Sequence, residues 1–130
     1  MDAVRFLHPE GLFQGQFAHV ASVQGGTMIF VSGQVAFDEQ GQVAGTTFAA
    51  QTEKVFDNLE RALAAAGATL AHIVKMNIFV RDLSDERLRT FRQIRAARLG
   101  EHKPASTLVG TPALVHDDLL LEIEVVALLP

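Results

Sequence analysis

Thr27-Met28-Ile29-Phe30-Val31-Ser32-Gly33-Gln34-Val35-Ala36-Phe37 is the stretch on which the architecture turns. It is rich in Ile, Phe and Val, residue types that fit an extended, packed chain. Side chains along a strand alternate between the two faces of a sheet. Here both sets are apolar: Ile29, Val31 and Val35 on one side, Met28, Phe30 and Ala36 on the other. Such a strand belongs to a sheet that is covered on both faces.

Working outward, His19 to Gln24 reads as a preceding strand, with Gln24-Gly25-Gly26-Thr27 as a hairpin turn between the two. Asp38-Glu39-Gln40-Gly41 is a turn in which Gly41 supplies a positive φ. Thr47 is placed to cap a helix running to about Ala66, whose Val55, Leu59, Ala62, Leu63 and Ala66 recur at helical spacing. Gly67 ends it. Ala71 to Arg81 returns to strand, with Val74, Met76, Ile78 and Val80 on one face and Phe79 on the other. Ser84 caps a second helix to about Gly100, with Leu88, Phe91, Ile94 and Leu99 inward. Thr107 to Thr111 and Leu119 to Leu128 complete the strands.

The expectation is one domain over residues 1–130, α+β in class. Its sheet is mixed and mostly antiparallel, with two helices on one face. Two helices leave the other face bare, and the chain has no element left for it. Further subunits are expected there.

The composition narrows the chemistry. With 48% apolar residues the chain can build a core. With no cysteine it has no disulfide, thiolate metal site or cysteine nucleophile. No signal peptide is expected at the N-terminus, and no apolar run approaches the roughly 20 residues of a membrane span. The protein is expected in the cytoplasm. The net charge of −4 argues against nucleic acid as a partner, because that affinity rests on phosphate neutralisation. The local exception is Arg87, Arg89, Arg92, Arg95 and Arg98 in the second helix. Arg89, Arg92, Arg95 and Arg98 follow at i+3, which reads as a solvated face or as a set from which one arginine reaches a cleft or a neighbour.

Glu122 and Glu124 alternate with Leu121, Ile123 and Val125. With the aliphatic set against the helices, both carboxylates lie on the bare face. Covering them raises their pKa and suits them to proton transfer. The plainer account is a charged strand face that is paired or wet. His19, His72, His102 and His116 have no triad context and no metal-ligand spacing. No metal or cofactor is expected.

Several short motifs, in order, carry a resemblance. They are Ser32-Gly33-Gln34, Gln51 with Asn58-Leu59, and Ala66-Gly67-Ala68. Val74-Lys75, Phe79-Val80-Arg81-Asp82-Leu83, and Pro104-Ala105 leading into Glu122-Ile123-Glu124 follow. From Phe17 to Ala127 the chain resembles the RidA/YjgF family, also known as endoribonuclease L-PSP-like. The resemblance implies a chorismate-mutase-like YjgF fold and a homotrimer with ligand clefts between subunits. It also implies hydrolysis of 2-imino and enamino acids to keto acids and ammonia, without a cofactor.

Carried over residue by residue, the resemblance makes Glu122 the group that holds the attacking water. Ser32 becomes a hydrogen-bond donor at the cleft, with the backbone at Ser106 and Thr107 polarising the substrate. Three positions depart from the pattern. Ser106 stands where active family members carry the arginine that grips the substrate carboxylate. Phe17 stands for a tyrosine, with His19 close by, and Thr90 falls at the asparagine of the second helix. A neutral hydroxyl bond is worth about 1 kcal/mol against about 1.5–3 for a charge-assisted one, so the loss of the arginine implies a changed ligand. The readings are an imine or enamine deaminase of altered substrate, a non-catalytic metabolite-binding trimer, and a ribonuclease or translation inhibitor.

Overall fold

The computed structural model describes residues 3–130. The strands are β1 (Val4–Leu7), β2 (Val20–Val23), β3 (Thr27–Gln34), β4 (Ile73–Arg81), β5 (Ala105–Thr111) and β6 (Leu121–Leu129), and the helices are α1 (Phe48–Ala65) and α2 (Asp85–Leu99). Four strands form one sheet in the order β3-β6-β4-β5, and β1 and β2 form a separate ribbon. β6 runs antiparallel to both neighbours, with Val125 opposite Val31 on one side and Met76 on the other. β4 and β5 are parallel, which requires the crossover that α2 provides. The class is α+β, with both helices on one face of a mixed sheet.

The core lies between that face and the helices. Val55, Phe56, Leu59 and Leu63 of α1 are fully buried against Met76, Ile78, Leu121 and Ile123. The Thr47 hydroxyl accepts from Ala50 N at 3.1 Å and starts the helix. Two side chains then lock α1 to the sheet. The buried Gln51 amide donates to Asp118 O at 2.8 Å and Gly45 O at 3.2 Å, and accepts from Leu120 N at 2.9 Å. Asn58 Nδ2 donates to Val35 O at 2.9 Å and Phe37 O at 3.0 Å. Ser84 caps α2, and Arg98 in its last turn bridges to Glu53, Asp57 and Glu60 of α1.

The second sheet face carries Met28, Phe30, Lys75, Asn77, Phe79, Glu122, Glu124 and Val126. No element of the described chain covers it, and Phe30 is 74% exposed. Ala36 does not belong to this face: β3 ends at Gln34 after a bulge, and Ala36 is fully buried. The expected hairpin is also corrected. Gly25 and Gly26 take positive φ and turn the chain, but β2 pairs with β1 and β3 pairs with β6. Val4–Leu7 is a strand that the sequence reading left out, and residues 70–72 form a 3₁₀ turn capped by Thr69 before β4 begins. No helix among the described residues is long and apolar enough to cross a membrane.

Candidate functional site

The bulge between Val31 and Gln34 brings Ser32 and Gly33 to the β6 side of the bare face. A methyl group on Gly33 would sit 2.7 Å from Glu122 Cδ, so any side chain there would displace the carboxylate from its place against this backbone. Glu122 is partly buried. Loss of hydration pushes its pKa up, and repulsion from Glu124 adds to that. Glu124 accepts from Asn77 Nδ2 at 3.1 Å, while the Glu122 carboxylate has no donor among the described residues. Ser32 is exposed and lines a depression of about 380 Å³ with Lys75, Asn77 and Glu124. Thr107 also sits on this face, where its hydroxyl accepts from Lys75 Nζ at 2.9 Å.

A second cavity, about 570 Å³, opens beside β5 on the helix side. Phe13, Phe17, Leu88, Phe91 and Leu108 give it apolar walls, and Ser106, Arg95, Gln16 and the exposed Arg92 supply its polar groups. Ser106 lies opposite Met76, so it points to the helix side of the sheet. Its hydroxyl accepts from Arg95 Nη1 at 3.0 Å. Arg95 Nη2 donates to Gln16 O at 2.9 Å. The arginine is only 6% exposed, and burial pushes its pKa down to about 10, so it is still charged at neutral pH. Among the described residues it has no acidic partner. Arg95 Nε and Gln16 Oε1 are buried with no hydrogen-bond partner.

The residues expected from sequence therefore divide. Phe17 and Ser106 meet in the β5 cavity, whereas Ser32, Thr107 and Glu122 lie on the bare face. His19 stacks edge-on to Phe17 at 5.2 Å, but its Nε2 donates to Phe13 O at 2.5 Å and so holds the loop. Thr90 is turned away from Ser106 and lines a different depression with Thr47, Phe48 and Arg87. A wider hollow, about 630 Å³, lies between the end of β3 and α1. Its Asn58 amide is already committed to backbone carbonyls, its Arg61 is largely solvated, and Lys54, Asp38 and Glu39 lie along its rim.

Arg95 and Gln16 are the residues the sequence reading did not single out for this site. Phe91, Arg95 and Leu99 follow at i+4, and all three are buried, so helical spacing carried the signal for Arg95. Nothing in the sequence marked Gln16.

A two-helix, mixed-sheet α+β domain with a carboxylate on its bare face has close counterparts among solved structures. A Yersinia pestis protein described as of unknown function in the conserved Rid protein family superposes with a TM-score of 0.91 at 32% identity, covering 98% of this chain and 100% of that one. RidA from the Antarctic bacterium Psychrobacter sp. gives a TM-score of 0.73 at 29% identity over 99% and 100% of the two chains. The 2-iminobutanoate/2-iminopropanoate deaminase of Salmonella typhimurium is 31% identical over 112 residues, 84% of this chain and 85% of that protein. The profile of the Endoribonuclease L-PSP family matches residues 13–129, and the chain belongs to that family, also called RidA/YjgF.

Proposed function

We propose that this protein binds a small metabolite in clefts between three copies of itself and there hydrolyses an imine or enamine to a carbonyl compound and ammonia. The observation that carries the reading is Glu122: a partly buried carboxylate of raised pKa, without a hydrogen-bond donor among the described residues, against the bare backbone of Gly33. The likeness to a Salmonella 2-iminobutanoate/2-iminopropanoate deaminase supports the reaction class. This reading assigns the protein to the cytoplasm.

The chemistry needs one water and one group that moves protons. Glu122 takes a proton from the water as its oxygen attacks the imine carbon. The π electrons of the C=N bond pass to nitrogen, which Glu122 then protonates. The resulting carbinolamine loses its hydroxyl proton to the same carboxylate, the C–O bond becomes double, and ammonia leaves with that proton. A carboxylate with a raised pKa serves both directions of transfer. Ser32 and the backbone at Ser106 and Thr107 polarise the substrate.

Ammonia release from freshly generated 2-iminopropanoate and 2-iminobutanoate tests this. Wild type should exceed the uncatalysed rate, and Glu122→Ala should lower that rate by about 10²-fold or more. Phe17 and Ser106 lack the family's phenol and guanidinium, which favours a non-catalytic metabolite binder as the second reading. An inert wild type with a well-folded Glu122→Ala variant would establish it.

A further inference from the structure

Arg95 presents an imbalance that the fold does not resolve. A guanidinium that is 6% exposed has given up most of its hydration, yet no carboxylate among the described residues neutralises it. Of its five N–H groups, two are bonded, to Ser106 Oγ and Gln16 O. Among the described residues Nε is buried with no acceptor, and Gln16 Oε1, on the residue whose backbone O takes Nη2, is buried with no donor. Native interiors leave few such groups unpaired, and those that remain call for a partner. The cavity that Arg95 ends has apolar walls of Phe13, Phe17, Leu83, Leu88, Phe91 and Leu108, with Arg92 at its exposed margin. Arg92 is hydrated there, so Arg95 is the one dehydrated cation of a largely apolar slot, which matches a ligand with one anionic head and an apolar body.

We propose that Arg95, reaching across from α2, is the anion anchor of the β5 cavity, and that it selects small apolar monocarboxylates. Ser106 is then a positioning residue: its hydroxyl holds Nη1 in place and leaves the edge of the fork for the ligand. Gln16 Oε1 would accept from an N–H or O–H next to the carboxylate. This deepens the metabolite-binding reading given above, and it stands whether or not the bound molecule is hydrolysed. Flat, planar carboxylates suit a guanidinium fork better than they suit a lysine or a hydroxyl.

The test is a titration of ¹⁵N-labelled protein at neutral pH with 4-methylpentanoate and with its neutral counterpart 4-methylpentanamide. The Arg95 Nε–Hε resonance, assigned by its absence in Arg95→Met, reports contact directly. Wild type should bind the carboxylate roughly tenfold or more tightly than the amide and shift that resonance. Arg95→Met should bind the two alike, and Arg95→Lys should keep the charge and lose most of the preference. Wild type that binds acid and amide equally, or Arg95→Met that retains the preference, overturns the inference. Should Arg95→Met not fold, the wild-type comparison and Arg95→Lys still decide. Absence of ammonia release with a clear carboxylate preference would sink only the deaminase reading; turnover without that preference would sink only this one.

Discussion

Arg95 and Ser106 occupy one another's space, and the exchange of a side chain at either position should be felt at the other. Ser106→Arg would place a second guanidinium against the first in a site with no acid nearby. Two like charges held out of water without a counter-ion cost about 3 kcal/mol or more. Thermal melts should therefore show Ser106→Arg clearly below wild type, and Arg95→Met added to it should recover most of the loss. A Ser106→Arg variant that melts with wild type would mean that Arg95 is free to leave the cavity. At this scale the sequence was legible where alternation governs. Glu122 and Glu124 were assigned to the bare face from period two alone, and they lie there. Arg95 was harder to read because the i+3 series Arg89, Arg92, Arg95, Arg98 resembles a solvated stripe. Only packing separates it: Arg89 and Arg92 are exposed, Arg98 is spent on three acids of α1, and Arg95 turns inward between Phe91 and Leu99. Thr90 was placed by analogy of position, and one residue along a helix is a rotation of about 100°, enough to face a different hollow.

Among the elements, helix ends were the most legible because their signals are local. Thr47 and Ser84 cap as read, since a short hydroxyl side chain reaches the free N–H groups of the first turn without help from elsewhere. Strand partners were not legible from the turn between them. Gly25-Gly26 makes a hairpin-like turn, yet β3 has eight residues, apolar on both faces, and finds a longer match in the nine-residue β6 than in the four-residue β2. β1 gave too short a pattern to register, four residues interrupted by the exposed Arg5. The join between α1 and the loop before β6 depends on Gln51, whose amide meets three backbone groups at once. Gln51→Leu keeps the volume but removes the side-chain partner of Asp118 O, Gly45 O and Leu120 N at a partly buried join. A lost hydrogen bond is worth about 0.5–1.5 kcal/mol, so a loss of about 2 kcal/mol is expected in urea unfolding, read as a lower midpoint at unchanged slope. A stability equal to wild type would show that water replaces the amide there.

For the molecule as a whole, the decisive fact is that the two halves of the candidate chemistry lie on different surfaces. Glu122 and Ser32 are on the bare sheet face, and Arg95, Ser106 and Phe17 are in the cavity beside β5, on the opposite side of the sheet. The apolar character of this face was legible in the sequence, because Met28 and Phe30 make β3 apolar on the side the helices do not cover, and they are 44% and 74% exposed. What the sequence could not convey is which surface meets which, since that depends on the shape of two folded copies. If the bare face of one subunit closes the β5 cavity of the next, each working cleft takes Glu122 from one chain and Arg95 from its neighbour. Subunits carrying Glu122→Ala and subunits carrying Arg95→Met should then complement. Each should be inactive alone. Unfolded together and refolded at equal amounts into closed rings, they should place an intact Glu122 opposite an intact Arg95 in about one quarter of the clefts. Ammonia release at about that fraction of the wild-type rate is the expected outcome, and it should vanish when Phe30→Glu on both chains puts a charge into the apolar contact and yields species of 14.1 kDa in sedimentation. Mixed rings that remain inactive while wild type turns over would place Glu122 and Arg95 in separate sites, because complementation requires that the two residues serve one substrate from two chains.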